Sequence, residues 1–401
     1  MSAPSRSRPA WVEVDASAIA HNARVLAGLA APAALCAVVK ADGYGHGAVT
    51  AARAALAGGA RWLAVATVDE GVALREAGVD APVLLLSEPA GPAMEEARAR
   101  GLTPTVDTPR GVEAAARAAD RVDGGPWTVH LKVDTGMHRV GADPPAVPGL
   151  AAAVLGSPAL RLGALWTHLA VADEAGPEAR AFTDEQLARF DGVVDDLRLR
   201  GVTVPMRHAA NSAGVLAHPR ARLELVRCGI ALYGVAPSDD LQGSAVAAGL
   251  RPALSWRAQV TRVRRLPAGA RPSYGRARPL PAGSAVAVVP VGYADGVPRR
   301  YFAAGGTVLI GGRPRPLAGM VTMDQLVVDC GPGDDVAVGD EVVLVGSQGA
   351  AVLSAPDWAR TLGTIAYEVL CAIGPRVPRV VVDGDATEPP AAGVGTGREG
   401  G

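Results

Sequence analysis

Lysine is nearly absent from this chain. Of the 39 lysine and arginine residues, only Lys40 and Lys132 are lysine. Aromatic residues make up only 4% of the sequence, and the formal net charge is -1. A chain so close to neutral has no overall attraction for nucleic acid or for an anionic membrane surface. We therefore expect neither of them among its partners.

Targeting and metal-binding patterns are also missing. The N-terminal stretch lacks the apolar core of a secretory signal, and no run of about 18 apolar residues predicts a membrane span. The seven histidines show no HExxH spacing, so we predict no metal site. The cysteines form no CxxC pair, which fits free thiols in a reducing cytoplasm, and they are Cys36, Cys228, Cys330 and Cys371.

Short apolar runs alternate with helix-like stretches through the first part of the chain. Eight such runs cover residues 35–40, 61–67, 83–87, 102–106, 128–134, 160–169, 204–211 and 223–230. Strands that alternate with helices favour a parallel sheet, and eight of them favour a closed (β/α)8 TIM barrel. A doubly wound open sheet is the alternative that this pattern leaves open.

The pattern changes after about residue 250, where apolar runs follow one another with little helix between them. These runs cover residues 254–266, 284–293, 307–312, 326–329, 341–346 and 376–383. They favour a mainly antiparallel β domain with one short helix at 357–363. We predict a barrel with a short N-terminal strand segment over 1–248, a β domain over 249–385 and a disordered tail over 386–401.

Polar residues fall at the carboxyl ends of the predicted barrel strands, where the catalytic groups of barrel enzymes lie. We expect them to converge on one mouth of the barrel. Backbone N–H groups after the last strand of a barrel also commonly bind phosphate. The residues at these strand ends are Lys40, Lys132, Asp134, Arg139, His168, Asn211, Ser212, Arg227, Gly229 and Ile230.

The use of lysine at positions 40 and 132 indicates chemistry that arginine cannot perform. Lysine can lose its proton and form a Schiff base with an aldehyde, whereas arginine stays protonated. Lys40 is therefore a Schiff-base candidate, although a lysine at a strand end is often only a solvated charge. His168 is equally typical of a hydrogen-bonded core histidine.

Nine motifs spread along the chain carry a resemblance to a known family. They are VVKADGYGHGA (38–48), LKVDTGMHRVG (131–141), WTHLAVAD (166–173), HAANSAG (208–214), VRCGIALYG (226–234), SYG (273–275), VGYADG (291–296), MDQ (323–325) and YEVLCAIGPRVPR (367–379). In this order and spacing, the sequence resembles alanine racemase, the fold-type III family that depends on pyridoxal phosphate, over about residues 10–384.

The resemblance implies roles for individual residues. Lys40 would hold the cofactor as a Schiff base, and Arg227 would face its pyridine nitrogen. His168 would link Arg227 to Tyr274, and Arg139 with the backbone of Met323 would hold the substrate carboxylate. The residues implied to bind pyridoxal 5'-phosphate are Lys40, Tyr44, Arg139, Ser212, Arg227, Gly229, Ile230 and Tyr367.

The implied reaction interconverts L- and D-alanine, and D-alanine would supply the peptidoglycan of a cell wall. A proton must leave one face of Cα and arrive at the other. The resemblance implies a two-base mechanism in which Lys40 serves one face and Tyr274 of the partner subunit serves the other, within a homodimer that has composite active sites. Because a tyrosine has an ordinary pKa of ~10, neighbouring positive charge must lower it.

The resemblance also implies that carbon dioxide carbamylates Lys132 and that the resulting anion steadies Arg139. One position departs from the family pattern, because Met320 stands where an arginine is usual in the substrate entryway. His138, where glycine is common, is a smaller change. The other residues implied to form the entryway are Asp173, Tyr293, Arg299 and Ile365.

Other functions stay open at this point. A racemase of serine or of several amino acids is one of them, since Met320 changes the entrance. A decarboxylase of diamino acids would share the barrel and the cofactor, but would place an acidic residue rather than Arg227 at the pyridine nitrogen. A non-enzymatic carrier of pyridoxal phosphate would be a shorter, bare barrel.

Overall fold

The computed structural model describes residues 8–244, 247, 249–333 and 336–382, and the predicted tail over 386–401 lies outside them. The strands are β1 (Ala10–Asp15), β2 (Ala34–Val38), β3 (Trp62–Val65), β4 (Val83–Leu85), β5 (Thr105–Val106), β6 (Trp127–Lys132), β7 (Leu160–Trp166), β8 (Arg207–His208), β9 (Leu225–Cys228), β10 (Leu254–Gln259), β11 (Arg262–Leu266), β12 (Ser284–Val289), β13 (Thr307–Ile310), β14 (Arg313–Pro316), β15 (Leu326–Gly331), β16 (Glu341–Gln348), β17 (Ala351–Leu353) and β18 (Arg379–Val382).

Helices alternate with the first nine strands and become sparse after them. The α-helical segments are α1 (Ala16–Ala30), α2 (Lys40–Tyr44), α3 (Ala48–Ala57), α4 (Val68–Glu76), α5 (Gly91–Ala99), α6 (Pro109–Arg121), α7 (Val147–Gly156), α8 (Pro177–Leu199), α9 (Ser212–Ala217), α10 (Asp239–Gln242), α11 (Ala355–Leu362) and α12 (Ala366–Cys371). Within the described ranges, no helix is both long and apolar enough to cross a membrane.

Strands β2 to β9 form a closed parallel barrel. They lie in two ladders, ordered β4-β3-β2-β9 and β5-β6-β7-β8. The ladders join where Leu84 bridges Thr103 and where the Arg227 N–H donates to the Ala210 carbonyl over 3.0 Å. Each of the eight predicted runs contains one of these strands. The closed barrel confirms the predicted fold class and removes the open sheet as an alternative.

The second region is built on a sheet ordered β14-β13-β16-β10-β1-β18, with a separate three-stranded sheet β11-β12-β15. Strand β1 pairs antiparallel with β10 and parallel with β18, so the N-terminal segment lies in this sheet and not in the barrel. Its sequence, AWVEVD, alternates buried and half-buried residues, as a strand with one covered face requires. The predicted boundary at residue 248 stays a prediction.

Several details of this region differ from the sequence prediction, which includes neither β17 nor the second helix, α12. The single run predicted over 254–266 is two strands, β10 and β11, that belong to different sheets. Strand β14 was not predicted at all. Its sequence, RPRP, contains two prolines that cannot donate to a ladder, and β14 accordingly lies at the edge of its sheet.

Asn22 on α1 ties the barrel to the segment that leads into β10. Its side chain is fully buried. The amide nitrogen donates to the carbonyls of Leu232 and Arg251 over 3.0 and 2.8 Å, and the amide oxygen accepts from the Arg251 N–H over 2.8 Å. One side chain therefore satisfies three backbone groups that helix and sheet leave unpaired.

We predict that Asn22→Ala lowers the free energy of unfolding by ~1–3 kcal/mol, because it leaves buried backbone groups without partners. Urea unfolding followed by circular dichroism measures the change. Arg24→Ala, on the exposed face of the same helix, is the control and should alter stability by less than ~0.5 kcal/mol. Equal losses in the two variants would contradict the role of the Asn22 amide.

Candidate active site

A cavity of about 510 Å³ lies at the carboxyl ends of the barrel strands. Eleven residues that the sequence singled out line it together: Lys40, Tyr44, Lys132, Arg139, His168, Asn211, Ser212, Arg227, Gly229, Ile230 and Tyr367. Among the described residues that line this cavity, none is aspartate or glutamate. Four cationic side chains without a lining carboxylate favour a ligand that carries several negative charges.

Lys40 enters the cavity from a sharp turn at the end of β2. The three residues after it, Ala41, Asp42 and Gly43, have φ angles of 51°, 51° and 62°, and Tyr44 has 54°. This left-handed path brings both Lys40 and Tyr44 to the same cavity wall. Burial, and then repulsion from Arg139, lower the pKa of Lys40, which favours the neutral amine needed by a nucleophile.

Arg227 is buried in the wall of the barrel and is surrounded by acceptors. Its Nη1 donates to His208 Nδ1 over 2.7 Å, and its Nη2 donates to the carbonyls of Thr167 and Ala209 over 2.9 and 3.0 Å. Burial lowers the pKa of Arg227 to about 10, so the guanidinium stays charged at neutral pH. Since arginine has no acceptor, His208 Nδ1 must be unprotonated.

The hydrogen bonds of Arg227 continue to His208 and from there to His130. The sequence did not indicate either histidine as a site residue. His208 carries its proton on Nε2 and donates to His130 Nδ1 over 3.2 Å. Burial and Arg227 lower the pKa of His130 to about 3 and that of His208 well below its ordinary value. His130 lies two residues before Lys132 on β6, so the shared strand face was the signal that could have found it.

His168 completes the group of neutral histidines around Arg227. Its Nδ1 lies 3.4 Å from Arg227 Nη2. Burial, and then repulsion from Arg227 and Lys132, hold the pKa of His168 well below its ordinary value. A neutral His168 accepts from Arg227 and leaves its other ring nitrogen for a further partner.

Lys132 is a buried lysine between two arginines. Its side chain is 3% exposed, and its Nζ lies 4.2 Å from the centre of the Trp166 ring. Burial, and then repulsion from Arg227 and Arg139, lower the pKa of Lys132 to about 8. Arg139 forms no hydrogen bond or ion pair with the residues that the structure describes. Within the described residues, neither Lys132 nor Arg139 therefore forms an ion pair with an aspartate or glutamate.

The far wall of the cavity presents backbone N–H groups and hydroxyls. Ser212 Oγ accepts from the N–H groups of Gly229 and Ala231 over 2.9 and 3.3 Å. A Cβ on Gly229 would clash with the Tyr44 hydroxyl, so this position needs glycine. The rings of Tyr44 and Tyr367 are 6.1 Å apart. Such a cluster of donors suits an anionic group.

The remaining predicted residues do not line this cavity within one chain. Tyr274 and Met323 are 71% and 51% exposed on the β domain. Tyr293 lies beside Met323, because consecutive N–H groups at 293 and 294 donate to the carbonyls at 322 and 323. Asp173 and Ile365 line a second cavity of about 180 Å³, and Arg299 is exposed in a short 3-10 turn.

Across the described ranges, no three or more His, Cys, Asp or Glu side chains are grouped so as to hold a metal ion.

Two family models match the chain: "Alanine racemase, N-terminal domain" over residues 14–237 and "Alanine racemase, C-terminal domain" over 253–381. Alanine racemase of Symbiobacterium thermophilum is 43% identical, covering 93% of this chain and 97% of that protein. The crystal structure of alanine racemase from Streptomyces lavendulae has a TM-score of 0.87 at 38% identity, covering 95% of this chain and 98% of the other. The crystal structure of alanine racemase from E. faecalis has a TM-score of 0.87 at 36% identity, covering 94% of this chain and 98% of the other.

The buried histidines predict how stability depends on pH. His130 has a folded-state pKa of about 3, below the ordinary value of 6.5, so the unfolded chain binds protons more readily. The contribution of His130 to stability is therefore lost as pH falls from about 6.5 towards 3, at up to ~1.4 kcal/mol per pH unit.

We expect His130→Asn to reduce that slope, because asparagine keeps an acceptor for His208 but does not titrate. Unfolding free energies from denaturant titrations at pH 7, 6 and 5 measure the slope. His21→Asn, at a partly exposed histidine, is the control. An unchanged slope in His130→Asn would show that His130 is not buried in its neutral form.

Proposed function

The chain belongs to the alanine racemase family, and we propose that it interconverts L- and D-alanine with pyridoxal 5'-phosphate as its cofactor, which would make D-alanine for peptidoglycan. Membership confirms the resemblance that the nine motifs indicated and makes the protein an amino-acid racemase, an isomerase. The observation that carries the proposal is the cavity that joins a deprotonatable Lys40 to a buried Arg227 without a lining carboxylate.

The residues of the cavity fit the cofactor. Lys40 would supply the amine for its aldehyde, and the hydroxyls of Tyr44 and Ser212 would donate to its phosphate beside the Gly229 backbone, whose N–H donates to Ser212 Oγ. When bound, the cofactor withdraws electrons from the substrate and makes its Cα proton acidic.

Arg227 is suited to face the pyridine nitrogen. It can only donate, and its acceptors at Thr167, Ala209 and His208 hold it in place. Because it does not give up its proton, it would leave that nitrogen unprotonated and would moderate the electron withdrawal. We propose that this favours return of the proton to Cα over transamination. A decarboxylase would need an acidic residue at this point.

Racemisation needs a second proton donor or acceptor opposite Lys40. Tyr274 of the partner subunit is our candidate. Within its own chain, Tyr274 is exposed beside the loop of Met320, whose carbonyl accepts from Ser273 Oγ over 2.5 Å. Exposed apolar side chains such as Tyr274 and Met323 are typical of an interface. A two-fold homodimer would cover both patches and complete two equal sites.

Substrate binding would fall to Arg139 and the backbone of Met323. Arg139 is exposed at the cavity rim and lacks a described partner, so a substrate carboxylate can pair with it. We propose that Asp173, Tyr293, Arg299 and Ile365 form the approach to the site, and that Met320 leaves this approach with one charge fewer than in most of the family.

We also propose that Lys132 is carbamylated. Its buried amine has a pKa of about 8, which leaves a neutral fraction near pH 7 that can react with carbon dioxide. The product is an anion placed among Lys132's two arginine neighbours. That anion would orient Arg139 for the substrate.

We predict that Lys40→Arg abolishes racemisation, because arginine keeps the charge but forms no Schiff base. The loss should be at least ~10²–10⁴-fold, the contribution of one acid–base group. Exchange of the Cα proton of L-alanine with deuterated water measures the reaction, and a panel that includes L-serine tests the effect of Met320. Borohydride should trap an adduct at residue 40 only in the wild type. Near-normal turnover would remove Lys40 from the mechanism.

Subunit exchange tests the composite site. Lys40→Ala and Tyr274→Phe should each be nearly inactive. After dissociation and reassociation of an equal mixture, about half of the dimers are hybrids, and each hybrid has one site with both defects and one site with neither. Activity should return to about a quarter of wild type on the same symmetry. Mixing would restore nothing if both residues served a site within one chain.

A further inference from the structure

Asp107 and Lys132 occupy neighbouring positions on adjacent barrel strands. Val106 pairs with Leu131 in the parallel ladder between β5 and β6, so Asp107 and Lys132 are the next residues along the two chains. Paired residues of neighbouring strands lie about 4.8 Å apart along the hydrogen-bonding direction and share a face. The Asp107 carboxyl group is therefore a close neighbour of a lysine that lies over the Trp166 ring.

Among the charged groups around Lys132, Asp107 is the acidic neighbour whose ionisation can change. Arg227 and Arg139 repel its charge, while Asp107 and, less strongly, Asp134 stabilise it. Asp134 is already committed, because its Oδ1 accepts from the N–H groups at 136, 137 and 138 over 2.9 to 3.1 Å. The nearby histidines at 168 and 208 are neutral.

The Glu88 carboxyl group lies beside Asp107. Its Oε2 accepts from the N–H groups of Asp107 and Thr108 over 2.8 and 3.0 Å, and its Oε1 accepts from Thr108 Oγ1 over 2.7 Å. A Cβ on Gly111 would clash with this carboxylate, so glycine makes room for it. Burial, and then Glu88, raise the pKa of Asp107 to about 6, against the opposing effects of Lys132 and the Gly141 N–H.

We propose that Asp107, poised by Glu88, sets whether Lys132 is an ammonium or an amine and so controls its uptake of carbon dioxide. This inference rests on the carbamylation proposed above. The amine lone pair attacks the carbon of carbon dioxide, and a C–N bond forms while one C=O π bond breaks and its electron pair moves to oxygen. One N–H proton leaves to water. The product is Lys–NH–COO⁻.

An ionised Asp107 opposes this reaction twice. It holds the proton on the amine, and it repels the carboxylate that forms. A protonated Asp107, which shares its proton with Glu88, removes both obstacles. Asp107 is thus a positioning residue that acts on the substrate-binding Arg139 through Lys132.

The scarcity of lysine makes a direct test possible. Holoenzyme grown with ε-13C lysine carries label at two residues, and Lys132→Arg assigns the signal of Lys132. A pH titration without carbon dioxide gives the protonation midpoint of Lys132. A second titration with 13C bicarbonate at fixed pH gives the concentration at which half of Lys132 is carbamylated.

We expect Asp107→Asn to lower the midpoint by about one pH unit, a tenfold loss of proton affinity. The bicarbonate concentration for half loading should fall by a similar factor. Asp107→Glu should restore both values towards wild type. Asp143→Asn is the control for net charge, because it removes an exposed carboxylate just before α7. Asp107→Ser provides the same test if the asparagine variant does not fold.

Equal midpoints in Asp107→Asn and Asp143→Asn would overturn the control by Asp107. A shifted midpoint without any carbamate signal, in wild type or variant, has a different meaning. It would overturn the carbamylation in the proposed function and the carbon dioxide step of this inference, while it supports control of the Lys132 charge by Asp107.

Discussion

A buried arginine that can only donate determines the interior of the barrel. Every group that touches Arg227 must accept, so the carbonyls of Thr167 and Ala209 and the Nδ1 of His208 turn towards it. That requirement fixes the proton of His208 on Nε2, and through this hydrogen bond it fixes His130 as an acceptor. Burial and this one cation therefore together keep both histidines neutral.

Burial and neighbouring arginines explain where lysine is retained in a chain that otherwise uses arginine. Arg227 and Arg139 repel Lys132, and Arg139 repels Lys40, so both amines lie in places where burial and positive neighbours favour loss of a proton. An arginine at either position would keep its charge and add to the repulsion. Lysine is therefore retained where a removable proton is useful.

The barrel and most of the cavity were predictable, because apolar runs identify strands and strand ends place side chains at one mouth. His130 and His208 were not, since a histidine within a buried strand has the same sequence signature as an ordinary core residue. The position of Asp107 between Glu88 and Lys132 depends on the lateral register of β4, β5 and β6, which no local pattern encodes. Tyr274 marks another limit, because the place proposed for it opposite Lys40 requires a second subunit.

The turn after Lys40 shows how strain is placed where it positions a functional group. Ala41, Asp42 and Tyr44 are non-glycine residues with left-handed φ angles, each of which costs ~1–2 kcal/mol. Local contacts offset this: Glu70 Oε1 accepts from the Ala41 N–H over 2.6 Å, and Asp42 Oδ1 accepts from an N–H of the next helix over 2.8 Å. Glu70 also caps α4, so the strained turn is anchored to a neighbouring βα unit. A relaxed path after β2 would carry Lys40 and Tyr44 away from the same wall, and the strain is the physical reason that both reach one cavity.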